Sequence, residues 1–179
     1  MTGTAARPKK RSGGGGGPKG SARRSAARLA AVQALYQTDH SGAHPDAVLE
    51  EFLSFRLGDS FDTEHDVAPD KNLFTEIVRG VSSRRQALDE MLSAVLAETW
   101  LLGRLEFILR AILRAGVYEL EARPNTPARV VITEYVDVAH AFYDGQEPGM
   151  VNGLLDRLAR TLRPEEFGGA REAGDGGGV

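Results

Sequence analysis

The stretch Leu105-Glu106-Phe107-Ile108-Leu109-Arg110-Ala111-Ile112-Leu113-Arg114-Ala115-Gly116-Val117-Tyr118-Glu119-Leu120 decides the fold. It holds no proline, and at 3.6 residues per turn its apolar side chains cover most of the circumference. A helix of that kind is stable only when other helices enclose it. Glu106, Arg110, Arg114 and Tyr118 recur every four residues as a single polar strip. Gly116 costs helix propensity, so it marks a close helix crossing.

The flanking sequence supplies the enclosing helices. Upstream, Ser21 reads as the N-cap of a first helix over 22–38, with Leu29, Val32 and Tyr36 at helical spacing. Gly42 and Pro45 punctuate before a second helix over 45–57, whose apolar face carries Val48, Leu49, Phe52, Leu53 and Phe55. A loop is expected from Gly58 through Asp59–Asp66. Asp70 then caps a long third helix with Leu73, Ile77, Val81, Leu88, Leu92 and Val95, ending near Thr99, and Trp100 anchors a turn before Gly103.

Downstream, Arg123 to Pro127 form a connection. Val130-Val131-Ile132 is β-branched, but no partner strand exists, so a fifth helix is expected, starting between Pro127 and Thr133 and reaching Phe142, with Val131, Tyr135, Val138 and Phe142 on one face. Pro148 suits the first turn of a sixth helix over 148–161, with Val151, Leu154, Leu155 and Leu158 inward. The fold class is all-α. Residues 21–164 form the helical domain, between a basic Gly-rich arm (1–20) and a Gly-rich acidic tail (165–179), both too poor in apolar surface to offset the entropy of ordering.

Charge is unevenly placed. Residues 1–28 hold eight basic and no acidic side chains, +8 against −3 for the whole 179-residue chain, so the remainder carries −11. Such an arm suits a nucleic-acid partner, because phosphate neutralisation depends on local charge, while the outermost residues read equally as a solubilising tail. No apolar run is long enough for a membrane helix or a signal-peptide core, which makes the cytoplasm the expected location.

Catalytic chemistry finds no support. There is no cysteine for a nucleophile, a disulfide or a thiolate metal site. His40, His44, His65 and His140 are scattered, and Gly42 and Pro45 break any helical register between the first two. Carboxylates such as Glu50-Glu51 and Glu165-Glu166 sit in solvated contexts, and no serine has an elbow motif around it. No catalytic residue, metal or cofactor is expected.

Two candidate surfaces remain. At the start of the first helix, Arg23, Arg24 and Arg28 offer forks for phosphate, and Gln33 and Tyr36 offer base-edge hydrogen bonds and stacking. The same residues also read as a core tyrosine beside solvated arginines. The strip Glu106, Arg110, Arg114 is either a contact surface or an intrahelical salt-bridge ladder worth roughly 0.2–0.5 kcal/mol per pair.

Three stretches in order resemble the NusB family: Arg28-Leu29-Ala30-Ala31-Val32-Gln33-Ala34-Leu35-Tyr36-Gln37, Leu113-Arg114-Ala115-Gly116-Val117-Tyr118-Glu119-Leu120 and Val151-Asn152-Gly153-Leu154-Leu155-Asp156. The resemblance covers Arg23 to Pro164. It implies two three-helix halves sharing a core, and a transcription antitermination factor that binds boxA RNA with the ribosomal small-subunit protein NusE, alongside other Nus factors and RNA polymerase, in support of ribosomal RNA synthesis. Arg24, Arg28, Gln33 and Tyr36 inherit an RNA role. Arg110, Arg114 and the Gln146 loop become candidates for the RNA or partner surface, and Glu106 for the partner surface. Met150 stands where the family often has phenylalanine. The competing readings are a helical scaffold that binds protein rather than RNA and a homodimer that occupies the RNA-facing patch.

Overall fold

A computed structural model describes residues 17–57, 67–96 and 102–168 of the chain. Helix α1 spans Pro18–Ser41 and so begins before the expected cap. Gly17 is extended at the N-cap and Pro18 occupies the first helical position, where its missing N–H costs nothing. Ser21 instead donates its N–H to the Gly17 carbonyl at 3.1 Å, inside the helix. Gly42 ends α1 at φ 68°, a left-handed conformation that favours glycine, with its N–H on the Thr38 carbonyl.

Helix α2 covers Pro45–Glu51 and continues into one π-type turn, Phe52–Arg56, closed by a 2.7 Å bond from the Leu57 N–H to the Phe52 carbonyl. Val48, Leu49 and Phe52 are buried as expected, but Phe55 is 82% exposed. The wider turn swings it off the apolar face. The expected loop over 58–66 lies outside the described residues.

The long third helix is two. Helix α3 runs Lys71–Ser83 and α4 runs Arg85–Val95, broken at Arg84. The Asp70 carboxylate caps α3 as expected, accepting from the Asn72 and Leu73 N–H groups at 3.1 Å each. The stripe survives the break, since Leu73, Ile77, Val81, Leu88 and Leu92 are all buried. What the apolar spacing hides is the long-range anchor at the corner: the Arg84 guanidinium donates to Glu121, 37 residues on, at 2.7 Å. Beside it the bare backbone of Gly80 admits the Tyr118 ring, into which a Cβ would run. The expected helix end at Thr99 and the Trp100 turn lie outside the described residues.

Helix α5, Phe107–Ala122, is the central helix, with every residue from Ala111 to Leu120 buried. Helix α6 spans Ala128–His140 and settles Val130-Val131-Ile132 as helical. It stops two residues short of Phe142, leaving that ring 39% exposed rather than on the core face. Helix α7 covers Glu147–Leu162 with Pro148 in its first turn. At the α5–α7 crossing a Cβ on Gly116 would come within 2.8 Å of the Leu155 side chain, which is the close approach the sequence requires there.

Helices α1, α2 and α3 pack on one another, as do α5, α6 and α7; α1 and α3 join the halves by packing on α5, and α4 leans on α5 and α7. Among the described residues there is no strand, and no helix is long and apolar enough to cross a membrane.

The ordered body continues past Pro164 into a 3-10 turn, Pro164–Phe167, so the expected tail boundary falls inside a structured element. Glu166 accepts the Ala128 N–H at 2.7 Å and pairs with Arg163 at 3.0 Å. The Ala128 hydrogen bond first, and the Arg163 hydrogen bond and charge second, hold its carboxyl below the ordinary value. A depressed pKa stabilises the fold above the ordinary value of 4.5 and ceases to as pH falls through the lowered one. Glu166→Gln is therefore expected to flatten the acid limb of a melting-temperature profile, leaving neutral-pH melting slightly lower. An unchanged acid limb would detach Glu166 from the turn's stability.

Candidate nucleic-acid and partner interface

The arginine-rich start of α1 is not one patch. Arg28 is 2% exposed and lies inside the protein. Its Nε and Nη2 donate to the two Glu119 carboxylate oxygens at 2.7 and 3.0 Å, and its Nη1 faces Glu134 at 3.1 Å. The Tyr135 hydroxyl donates to Glu119 at 2.8 Å. Burial opposes the Arg28 charge, but the Glu119 hydrogen bond and charge outweigh it, and its pKa is raised. Burial, and then Glu119, push the Tyr135 hydroxyl well up. All three guanidinium nitrogens are engaged, so the expected RNA role of Arg28 is corrected: it ties α1 to α5 and α6.

Arg114 is corrected in the same way. It is 4% exposed, its Nε and Nη2 fork onto Asp89 of α4 at 2.6 and 2.9 Å, and its Nη1 donates to Asp39 of α1 at 2.7 Å. The intrahelical ladder does not form. A buried guanidinium needs full compensation, and carboxylates from α1 and α4 supply it better than a residue one turn away. Glu106 instead accepts from the Tyr143 hydroxyl at 3.1 Å. Burial and that bond raise the Tyr143 pKa. Arg110 lies over the Phe107 ring, 4.5 Å from its centre, and its Nε is buried without a hydrogen-bond partner.

The remaining candidates divide between two places. Near the start of α1, Arg23 donates to the Ala68 carbonyl at 3.2 Å while its own carbonyl accepts from the Asp70 N–H, pinning the segment that leads into α3. Arg24 has no hydrogen bond or ion pair to another described residue. Gln33 and Tyr36 lie beyond it along the same helix. Twelve residues at 1.5 Å per residue put Tyr36 about 18 Å from Arg24.

Gln33 and Tyr36 line an open cleft of about 740 Å³ with His40, Glu106, Phe107 and Tyr143. Tyr36 stacks on His40 at 5.5 Å, and His40 meets the Phe107 ring edge-on at 6.0 Å. Tyr36 and Phe107 are each 38% exposed, so the alternative that Tyr36 is core does not hold. His40 and Phe107 were not singled out by sequence. The available signal was the four-residue spacing of Tyr36 and His40 on a helix that continues to Ser41. Gln146 is exposed at the N-cap of α7 with no side-chain cap bond, whereas Met150 is half-buried against the core.

Among the described residues no group of three or more metal-ligating side chains converges. An all-helical body with a basic helix entrance and an exposed aromatic cleft defines a binding module. The sequence profile of the NusB family matches residues 25–160. A protein called transcription antitermination protein NusB in Rhodopseudomonas palustris (strain TIE-1) is 50% identical over 145 residues, covering 81% of this chain and 83% of that protein. One of the same description in Granulibacter bethesdensis is 46% identical over 156 residues, covering 84% and 96%. Among solved structures, T. maritima NusB is similar at 30% identity and a TM-score of 0.66, over 80% of this chain and 96% of that one. This chain belongs to the NusB family, the family of the transcription antitermination protein.

Proposed function

We propose that the chain exerts the antitermination activity of its family in the cytoplasm by holding boxA-type single-stranded RNA at the start of α1, with NusE seated on the aromatic cleft. Other Nus factors and RNA polymerase complete the assembly. The observation that carries this reading is the roughly 18 Å separation, along one rigid helix, of a free arginine from an aromatic cleft. Arg24, with Arg23 beside it, suits phosphate. The cleft offers Tyr36 and Phe107 as anchors. Arg110 does not line it but lies over the Phe107 ring, next to this surface, as a cation for a partner's carboxylate. Gln33 and Tyr36 thereby move to the partner side, where Glu106 already stood. Gln146 stays with them as an exposed polar contact.

Titrating a boxA-type oligonucleotide with and without NusE tests the reading. Tighter RNA binding with NusE present is expected; no binding in either case at low salt would overturn it. Tyr36→Ala and Phe107→Ala are each expected to weaken NusE binding by about 10- to 100-fold, the range of an interface anchor, with helicity unchanged. Unchanged NusE affinity in both variants would move the partner off the cleft. Light scattering of the free chain across a dilution series reports the competing occupant, a second copy.

A further inference from the structure

The chain leaves α6 through a tight turn in which the Phe142 and Tyr143 N–H groups both donate to the Ala139 carbonyl, at 3.0 and 2.9 Å. That turn carries the half-buried Tyr143 ring to the cleft wall, where its hydroxyl donates to Glu106 Oε2, 37 residues earlier, at 3.1 Å. Glu106 stands at the N-cap of α5, and a side chain there can turn back onto the orphan N–H groups of the first turn. This one makes no cap bond and is held at the cleft by Tyr143 instead. Burial first, then the Glu106 hydrogen bond and charge and the Glu147 charge, push the Tyr143 hydroxyl up, with the Leu109 N–H acting the other way. At neutral pH it is therefore an uncharged donor.

No cation of the described residues answers that carboxylate. Arg56 lines the same cleft but stands 3.5 Å from Glu51 and lies over the Phe52 ring. Arg110 lies over the Phe107 ring, and neither it nor His40 forms an ion pair with Glu106. Elsewhere in the body carboxylates of comparable reach are matched, as Asp39 and Asp89 are by Arg114 and Glu121 by Arg84. The second oxygen of Glu106, Oε1, has no hydrogen bond to another described residue. We infer that Tyr143 is the positioning residue of the partner cleft, holding Glu106 by one oxygen so that the other receives a lysine or arginine of NusE. This inference rests on the partner reading above and names the chemistry of the contact. A carboxylate fixed beforehand loses less rotamer freedom on binding, and a charge-assisted bond to it outlasts one to a neutral acceptor.

The test titrates NusE into the full wild-type chain and into Tyr143→Phe, Glu106→Gln and the double variant at about 50 and 200 mM KCl, with equal helicity checked by circular dichroism. Glu106→Gln is expected to weaken binding about tenfold at low salt and to make it less salt-dependent, because salt screens the lost ion pair. Tyr143→Phe keeps the ring and is expected to weaken binding about 3- to 10-fold, the range of one net hydrogen bond. In the Glu106→Gln background the same change should alter affinity by no more than about twofold, since the charge through which Tyr143 acts is gone. In the free protein with an isotope label at the tyrosine Cζ, the signal missing from Tyr143→Phe should shift in Glu106→Gln. Wild-type affinity in Tyr143→Phe, or an undiminished loss in the Glu106→Gln background, would overturn the positioning role. An unchanged salt dependence in Glu106→Gln would overturn the cation. A wild type that does not bind NusE at low salt sinks the partner reading itself, and the Cζ signal then still decides whether Tyr143 holds Glu106.

Discussion

Glu119→Ala is expected to destabilise the protein by roughly 3–5 kcal/mol, lowering the melting temperature by about 6–20 °C. Glu119 is fully buried and accepts from Arg28 twice and from Tyr135 once. Removing it leaves a guanidinium in a dry interior, with only Glu134, 17% exposed at its side chain, still facing it. Arg123, whose Nε stands 3.7 Å from the same carboxylate, loses a neighbour as well. The cost is mostly the orphaned charge, not the net worth of the pair, because desolvating two ions consumes much of their attraction. A variant with Arg28→Met, Glu119→Leu and Tyr135→Phe together should therefore recover at least half of the loss. Urea melts of the single and triple variants separate the two accounts. A triple variant as unstable as Glu119→Ala would show that the network itself, and not the unpaired charge, holds α1, α5 and α6 together.

That network marks the limit of what apolar spacing reveals. The enclosed α5, the Gly116 crossing, the Asp70 cap and Pro148 in the first turn of α7 were all legible, because each is a local rule or a periodicity. The break at Arg84 was not, since the stripe from Leu73 to Leu92 keeps its spacing while the backbone turns. Phe55 and Phe142 were misplaced for a related reason: a π-type turn and an early helix end change the direction of a side chain without changing its position in sequence. For the candidate site, residue type was legible and partnership was not. Arg24 and Arg28 are both arginines one turn apart, yet one is uncommitted and the other faces a glutamate 91 residues away. Arg110 and Arg114 repeat the contrast on α5. Long-range carboxylates decide which cations face solvent, and one sequence does not announce them.

Arg163 extends the same logic to the chain's end. It is 4% exposed, and its guanidinium donates to the backbone carbonyls of Glu119, Leu120, Arg123 and Thr126 as well as pairing with Glu166. Those carbonyls include the last turn of α5, where helix ends leave acceptors without intrahelical partners. Arg163→Ala would leave them facing a cavity and free the Pro164–Phe167 turn from the start of α6. A loss of about 3–4 kcal/mol is expected, since charge-assisted hydrogen bonds are worth about 1.5–3 kcal/mol each but are not additive around one group. Arg163→Lys should recover only a small part, because an ammonium cannot span carbonyls on both sides as the planar fork does. Hydrogen exchange is expected to accelerate at the end of α5 and the start of α6 while the α1 amides near Arg28 stay protected. Uniform acceleration across α1 as well would mean that this corner unfolds only with the whole protein, and that Arg163 is part of the same cooperative unit as Glu119.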